Sequence, residues 1–256
     1  MNTASNIHLK DKIESKAADF RNKSGLSGVE ALNLESLLLF HNVISVFKPL
    51  SIGISGMALK TINGQETKRF ILINTQQPVG RQNFTICHEL YHLFIQADFE
   101  YQICQTGRFD KKADIEEYKA DLFASFFLMP KNGIISLIPE QEWDKDCISL
   151  STILKIENYF GCSRKALLIR LKDLGFLSDT IFDNFSKNVI LSATRYGYSR
   201  ALYEKTNENR VIGDYGDMAK KLFDTEIISE SRYAGFMNDI GINIFDIPNT
   251  TVDELN

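Results

Sequence analysis

One short pattern constrains this chain more than any other: His88-Glu89-Leu90-Tyr91-His92, an H-E-x-x-H sequence within a segment that reads as a helix. On a helix the two histidines project from the same face, one turn apart. Two imidazoles placed this way can bind one Zn²⁺, and Glu89 beside them can act as a general base. Because half of the chain's four histidines fall in this pattern, we favour a metal site over a helix with two buried structural histidines.

A catalytic zinc site also needs a third protein ligand and one open position. No histidine follows His92, and the other two, His8 and His41, lie far upstream. Ile95 and Asp98 stand where the extended pattern H-E-x-x-H-x-x-G-x-x-H requires Gly and His, which excludes that pattern. We therefore expect the third ligand to be a carboxylate.

Residues 114–130 are the best source of that carboxylate, because they predict a second helix. Its buried stripe recurs at helical spacing through Ala120, Phe123, Ala124 and Phe127. Glu117 and Asp121 lie close to this stripe and share one face, and a carboxylate facing a core must be paired or bind metal. We predict that Glu117 is the third ligand and that Asp121 accepts an N–H from a ligand histidine. The alternative is a solvated acidic face on which Glu117 pairs with Lys119.

Two signatures together resemble one family. Residues 81–93 resemble the active-site helix of the ImmA/IrrE family of bacterial metallopeptidases. The second signature of that family, E-x-x-A-[N/D]-x-F-A-x-x-[L/F]-L-M-P, is matched from Glu117 to Pro130. The resemblance covers about residues 15 to 175. The E-x-x-x-D spacing also resembles thermolysin-like zincins, in which the Glu binds zinc and the Asp orients a histidine.

The order of the predicted elements suits an α+β, zincin-like domain with a small antiparallel sheet. Helices are expected over 9–24 and 33–40, with Asn33 as N-cap, and strands over 44–47, 55–59 and 69–74. Asn63-Gly64 indicates a hairpin, although not a tight two-residue one. We expect residues 53–60 to form the sheet edge to which a peptide adds as an extra strand. Residues 99–113 are expected to be a loop, either a lid or a connector.

The C-terminal half predicts a mostly helical region. We assign residues 1–175 to the metallopeptidase domain. Residues 176–256 carry no motif to which we assign a function, and partner docking is the role suggested for them. Residues 150–174 resemble a helix-turn-helix whose second helix is basic, through Arg164, Lys165, Arg170 and Lys172. Such a unit could read DNA, but packing as a helical hairpin is favoured. Residues 242–247 look strand-like.

Composition and charge bear on whether the protein binds nucleic acid, spans a membrane or is secreted. A formal net charge of −4 gives no reason to expect direct nucleic-acid binding. We expect no membrane span, because no apolar run reaches ~18 residues, and no secretory signal, because the first residues are polar. The four cysteines are then most simply reduced thiols of a cytoplasmic protein. Cys87 adjoins His88, but adjacent helical residues diverge, so we expect a small buried side chain.

These patterns together lead to a hypothesis of peptide-bond hydrolysis, with Zn²⁺ held by His88, His92 and Glu117 and with Glu89 as general base. Mn²⁺ or Fe²⁺ would also suit two histidines and a carboxylate. Tyr91 and Arg81 are weak candidates for stabilising the oxyanion.

The family resemblance implies an intracellular endopeptidase that cleaves an Xre-like helix-turn-helix repressor, an anti-repressor role. One alternative is the toxin of a toxin–antitoxin or phage-defence pair, restrained by such a repressor. A second alternative is a non-catalytic regulatory protein.

Overall fold

The computed structural model describes residues 3–51, 53–104, 114–206 and 209–246, and every helix and strand named below lies within those ranges. The strands are β1 (Val43–Lys48), β2 (Gly56–Asn63), β3 (Glu66–Asn74), β4 (Tyr101–Cys104) and β5 (Arg210–Ile212). The helices are α1 (Thr3–Lys23), α2 (Leu34–Phe40), α3 (Val79–Phe94), α4 (Ile115–Leu128), α5 (Lys131–Leu137), α6 (Leu150–Phe160), α7 (Arg164–Asp173), α8 (Asp179–Phe185), α9 (Val189–Arg195), α10 (Tyr215–Asp224) and α11 (Glu230–Asp239).

The five strands form one sheet in the order β4-β2-β3-β1-β5. This confirms the predicted α+β class with a mostly helical C-terminal region. The sheet differs from the predicted antiparallel arrangement at one pairing, because β1 runs parallel to β3. Strands β2 and β3 form an antiparallel hairpin. Strand β1 pairs with the edge of β3 that faces away from β2, and β1 and β3 run in the same direction.

The hairpin between β2 and β3 is tighter than the sequence predicted. Asn63 pairs with Glu66, which leaves a loop of only two residues, Gly64 and Gln65. Gly64 has a φ of +60°, and a glycine at the first position of a two-residue loop adopts such a φ without strain.

The prediction that residues 53–60 form a free edge of the sheet is wrong, because β4 pairs antiparallel with β2 from Gly56 to Leu59. This strand lies in the segment predicted as a loop, of which residues 105–113 are outside the described ranges. The strand predicted at 242–247 is also wrong, because Ile244–Asp246 form a 3₁₀ turn and Ile247 is not described. Short apolar runs do not distinguish a strand from a buried turn, and pairing partners decide.

Helix α3 lies between the sheet and α4 and is almost wholly buried. Gly80 in its first turn approaches the junction of α6 and α7 so closely that a β-carbon there would lie 2.9 Å from the backbone N of Ser163. Helix α1 packs against α4, and the buried guanidinium of Arg21 donates to the carbonyl oxygen of Phe127. Helix α2 begins as predicted, since the Asn33 side chain accepts from the amide of Ser36 at 3.0 Å.

Helices α6 and α7 form the hairpin predicted at residues 150–174, and two of its four basic residues point inward. Arg164 is buried in an ion pair with Glu157, also buried. Arg170 is buried beside Glu14 of α1, at 2.5 Å, and stacks on Phe126 of α4. Because these two guanidinium groups are already paired inside the fold, they are not free to contact phosphates, which favours the packing interpretation.

Residues beyond 175 contact the rest of the fold at several places, and two of these contacts involve β1 and α6. The short strand β5 pairs antiparallel with β1, and Val46 lies opposite Val211. The hydroxyl of Tyr203 hydrogen-bonds to the buried Glu157 carboxylate on α6. Among the residues that the structure describes, no helix combines the length and apolar character needed to cross a bilayer.

Candidate metal centre

Helix α3 supplies three of the residues at the centre. His88, Glu89 and His92 have no solvent-exposed surface. Their burial follows from the sequence, because apolar residues surround them on the helix and the sheet covers one side. A helix so enclosed cannot leave charged or polar side chains unpaired without a large cost. The polar groups must therefore be satisfied by each other or by a ligand.

Helix α4 supplies the opposing carboxylates. It begins after Asp114, whose side chain accepts from the amides of Glu116 and Glu117. The cap fixes the first turn, and with it the position of Glu117. The predicted apolar stripe is confirmed, since its four members are fully buried: Ala120, Phe123, Ala124 and Phe127. Asp121, one turn after Glu117, is also buried.

The structure brings together the three residues predicted to be metal ligands. His88 Nε2 lies 3.4 Å from Glu117 Oε2, and His92 Nε2 lies 3.2 Å from Glu117 Oε1. The two Nε2 atoms are 3.1 Å apart. Glu117 keeps about a quarter of its side chain exposed, so the cluster opens to solvent on that side. Two imidazole nitrogens and a carboxylate directed at one point are a ligand set for a divalent metal ion.

The outer nitrogens of both histidines also have partners. His88 Nδ1 lies 3.0 Å from Asp121 Oδ1, the contact predicted from the sequence. His92 Nδ1 lies 2.5 Å from Gln96 Oε1. A carboxylate and an amide oxygen only accept, so each Nδ1 carries the hydrogen. This leaves each Nε2 as the atom available to a metal.

Glu89 differs from the other members of the cluster. Its Oε1 atom is buried and has no hydrogen-bond partner. Complete burial raises the pKa of Glu89 to about 7, against the opposing effect of His88 and His92. A buried carboxylate oxygen without a partner, next to two histidines, indicates that a ligand or water belongs beside it. The donor set and this oxygen together fit a metal ion.

The ionisable groups of Glu117 and His88 stabilise each other's charged forms. Burial opposes ionisation of Glu117, but hydrogen bonds from His88 and His92 outweigh it and hold the pKa of Glu117 well below its usual range. Burial likewise lowers the pKa of His88, yet hydrogen bonds to Asp121 and Glu117 outweigh that effect and raise it to about 10. A bound cation would take over the role that these protons play.

Three further residues named from the sequence are not members of the cluster. Cys87 is buried on another face of α3, where burial raises its thiol pKa, which confirms the expectation for it. Tyr91 is buried and donates its hydroxyl to Glu116 at 2.9 Å. Arg81 lines a cavity of about 670 Å³ together with Lys205, at the start of α3.

Sequence reasoning missed a fourth potential ligand, Cys104. Its Sγ atom lies 3.4 Å from Glu89 Oε2 and 3.5 Å from Glu117 Oε1. Ligand atoms of His88, His92, Cys104 and Glu117 all lie within 4.8 Å of one another. The only signal in the sequence was a cysteine between the two metal helices. Gln96 was missed as well, although it follows His92 by four residues.

The fold and the cluster define a metallopeptidase domain. Comparison with protein families agrees, because residues 49–172 match the model described as Peptidase_M78, IrrE N-terminal-like domain. The match covers just under half of the chain and includes the whole cluster. Over these residues the chain is therefore similar to the IrrE N-terminal-like domain of the Peptidase_M78 family. Comparison with curated proteins gave no match.

Proposed function

We propose that the chain is a zinc-dependent endopeptidase that acts in the cytoplasm on a specific protein. One observation carries the proposal: the Nε2 atoms of His88 and His92 converge on the Glu117 carboxylate, beside a buried Glu89 oxygen that has no partner. Zinc is preferred to Mn²⁺ or Fe²⁺ because an H-E-x-x-H helix with a carboxylate is a typical zinc ligand set.

Each residue of the cluster has a separate task in this proposal. His88, His92 and Glu117 would hold the ion, and Asp121 and Gln96 keep the two rings in the orientation that directs Nε2 inward. When bound, zinc supplies Lewis-acid polarisation of the scissile carbonyl and acidifies water. Glu89 accepts the proton of the attacking water and returns it to the nitrogen of the leaving amine.

The burial of Glu89 suits this role. Bulk water cannot reach its free Oε1 atom from the sheet side, because the backbone of Gly56 lies against it. A base held in a dry pocket keeps its proton affinity near neutral pH. Its other oxygen, Oε2, accepts from the thiol of Cys104, which is a weak donor. That the chain retains Glu89 favours catalysis over a purely regulatory binding role.

For the substrate we propose an Xre-like helix-turn-helix repressor, cleaved to relieve repression. This part of the proposal is supported by the family resemblance at residues 81–93 and 117–130. A toxin restrained by such a repressor would use the same centre on another target, so only the substrate distinguishes the two roles.

The experiment co-expresses the chain with each helix-turn-helix repressor encoded beside its gene, and follows the intact mass of the repressor. Wild type and the exposed control Glu140→Gln should cleave it, whereas Glu89→Gln should leave it intact while still binding metal. Cleavage by Glu89→Gln at the wild-type rate would contradict the role of this residue. Growth arrest without the repressor, dependent on Glu89, would instead support the toxin.

A further inference from the structure

The edge of β2 that faces away from β3 is paired with the chain's own strand β4. Cys104 lies opposite Gly56 and Tyr101 opposite Leu59 in an antiparallel register. The pairing extends past both ends, because Ser55 N donates to the Cys104 carbonyl at 2.9 Å and Lys60 N donates to the Glu100 carbonyl at 2.7 Å. The backbone groups that a peptide would use to add to β2 are therefore already bonded.

This register also directs the Cys104 side chain into the metal centre. Gly56 is the residue of β2 that lies against Glu89, and Cys104 is its partner on β4. The thiol is fully buried, and its Sγ atom lies within 4.8 Å of the ligand atoms of His88, His92 and Glu117. A second observation also indicates a ligand at this position, since the buried Oε1 atom of Glu89 has no partner.

The chemistry of these four groups fits a closed zinc site. Zinc is tetrahedral in proteins, and a catalytic site keeps one of its four positions free for water. Sulfur from cysteine is a preferred zinc ligand. With two histidines, one carboxylate and one cysteine, all four positions are filled by protein.

We propose that Cys104 is a fourth zinc ligand and that β4 is an autoinhibitory strand of the peptidase. The strand takes the position of an extended substrate segment along β2. Its sulfur takes the open position on the metal as a thiolate, and the S–H proton passes to Glu89 Oε2, which lies 3.4 Å away. A protein substrate with an extended segment would activate the enzyme by adding to β2 in place of β4 and withdrawing the thiol. This inference rests on the proposed metallopeptidase function.

The test loads full-length protein with Co²⁺, whose bonds to cysteine sulfur give a charge-transfer band in the near ultraviolet. Wild type and the control Cys147→Ser, which changes an exposed cysteine, should show the band, and Cys104→Ser should lack it. Zinc affinity of Cys104→Ser should fall at least about tenfold, the lower end of what loss of a supporting group at a metal site costs. Peptidase turnover of this variant should rise.

A second measurement needs no variant. In the X-ray absorption spectrum of the zinc-loaded wild type, one sulfur neighbour at about 2.3 Å should accompany the nitrogen and oxygen ligands. Cobalt bound without the sulfur band, or a zinc spectrum without a sulfur neighbour, would overturn this inference alone. Failure of folded wild type to bind either metal would overturn both this inference and the proposed function.

Discussion

Gly56 and Glu89 are in direct contact across the interface between the sheet and the metal-binding helix. A β-carbon on Gly56 would lie 2.7 Å from Glu89 Oε1 and 2.7 Å from Thr85 Cγ2, with the carbonyl oxygen of Leu72 at 3.0 Å. Real β-carbons essentially never approach other atoms so closely. The absence of a side chain at position 56 therefore leaves the space that the Glu89 carboxylate occupies.

The substitution Gly56→Ala should displace Glu89 and reduce turnover. A shift of about 1 Å in a catalytic group can cost about 100-fold in rate, and overpacking of a buried site typically costs about 1–3 kcal/mol of unfolding free energy. Both are measured, by peptidase assay and by urea unfolding. The control Gly28→Ala adds a β-carbon in open space and should change neither quantity. Wild-type turnover in a folded Gly56→Ala protein would contradict the proposed placement of the base.

Asp121→Asn should weaken metal binding through His88. The carboxylate accepts from His88 Nδ1 at 3.0 Å, and loss of such a partner costs about 10–100-fold in metal affinity or activity. Zinc affinity is measured by competition with a chelator. The control Asp183→Asn changes an exposed carboxylate and should bind zinc as wild type does. Equal affinity in both variants would show that Asp121 does not orient the ring.

Arg164→Met should destabilise the fold strongly without touching the metal centre. The change leaves the Glu157 carboxylate buried without its cation, and breaking a buried pair costs about 3–5 kcal/mol. The matched control is Arg200→Met, which removes an exposed pair with Glu204 and should cost about 0–1 kcal/mol. Urea unfolding measures both. A loss from Arg164→Met no larger than that of the control would contradict this role.

His41 should make the protein less stable in mild acid. Burial and the nearby Arg69 guanidinium lower the pKa of His41 below its usual 6.5. The unfolded state then binds more protons just below that pH, so this contribution is present above pH 6.5 and is lost as pH falls through it. Unfolding free energy should therefore drop less in His41→Gln than in wild type between about pH 7 and about pH 5. Parallel pH profiles would contradict this assignment.

Local patterns in the sequence predicted much of this fold. The helical period around His88 and Glu117, the Asn33 cap and the Asn63-Gly64 turn each depend on residues close in the chain, and the structure has a helix, a cap or a hairpin at each. The convergence of Glu117 on the histidine pair also agrees with the spacing of two short signatures.

The errors arose where distant segments meet. The parallel pairing of β1 with β3 and the strand β4 depend on partners far apart in the sequence. Cys104 enters the centre only because β4 pairs with β2 in a register that places it opposite Gly56. No local period carries that information, because a four-residue strand is too short to show alternation.

The most direct test of the central claim is the metal content of the purified protein, measured by elemental analysis for wild type and Glu117→Ala. The neighbouring change Glu116→Ala serves as control, because Glu116 bonds to Tyr91 and Lys119 outside the cluster. We predict about one zinc per chain in wild type and in the control, and its loss in Glu117→Ala. A folded wild type that holds no metal even after zinc is supplied would contradict the metallopeptidase function.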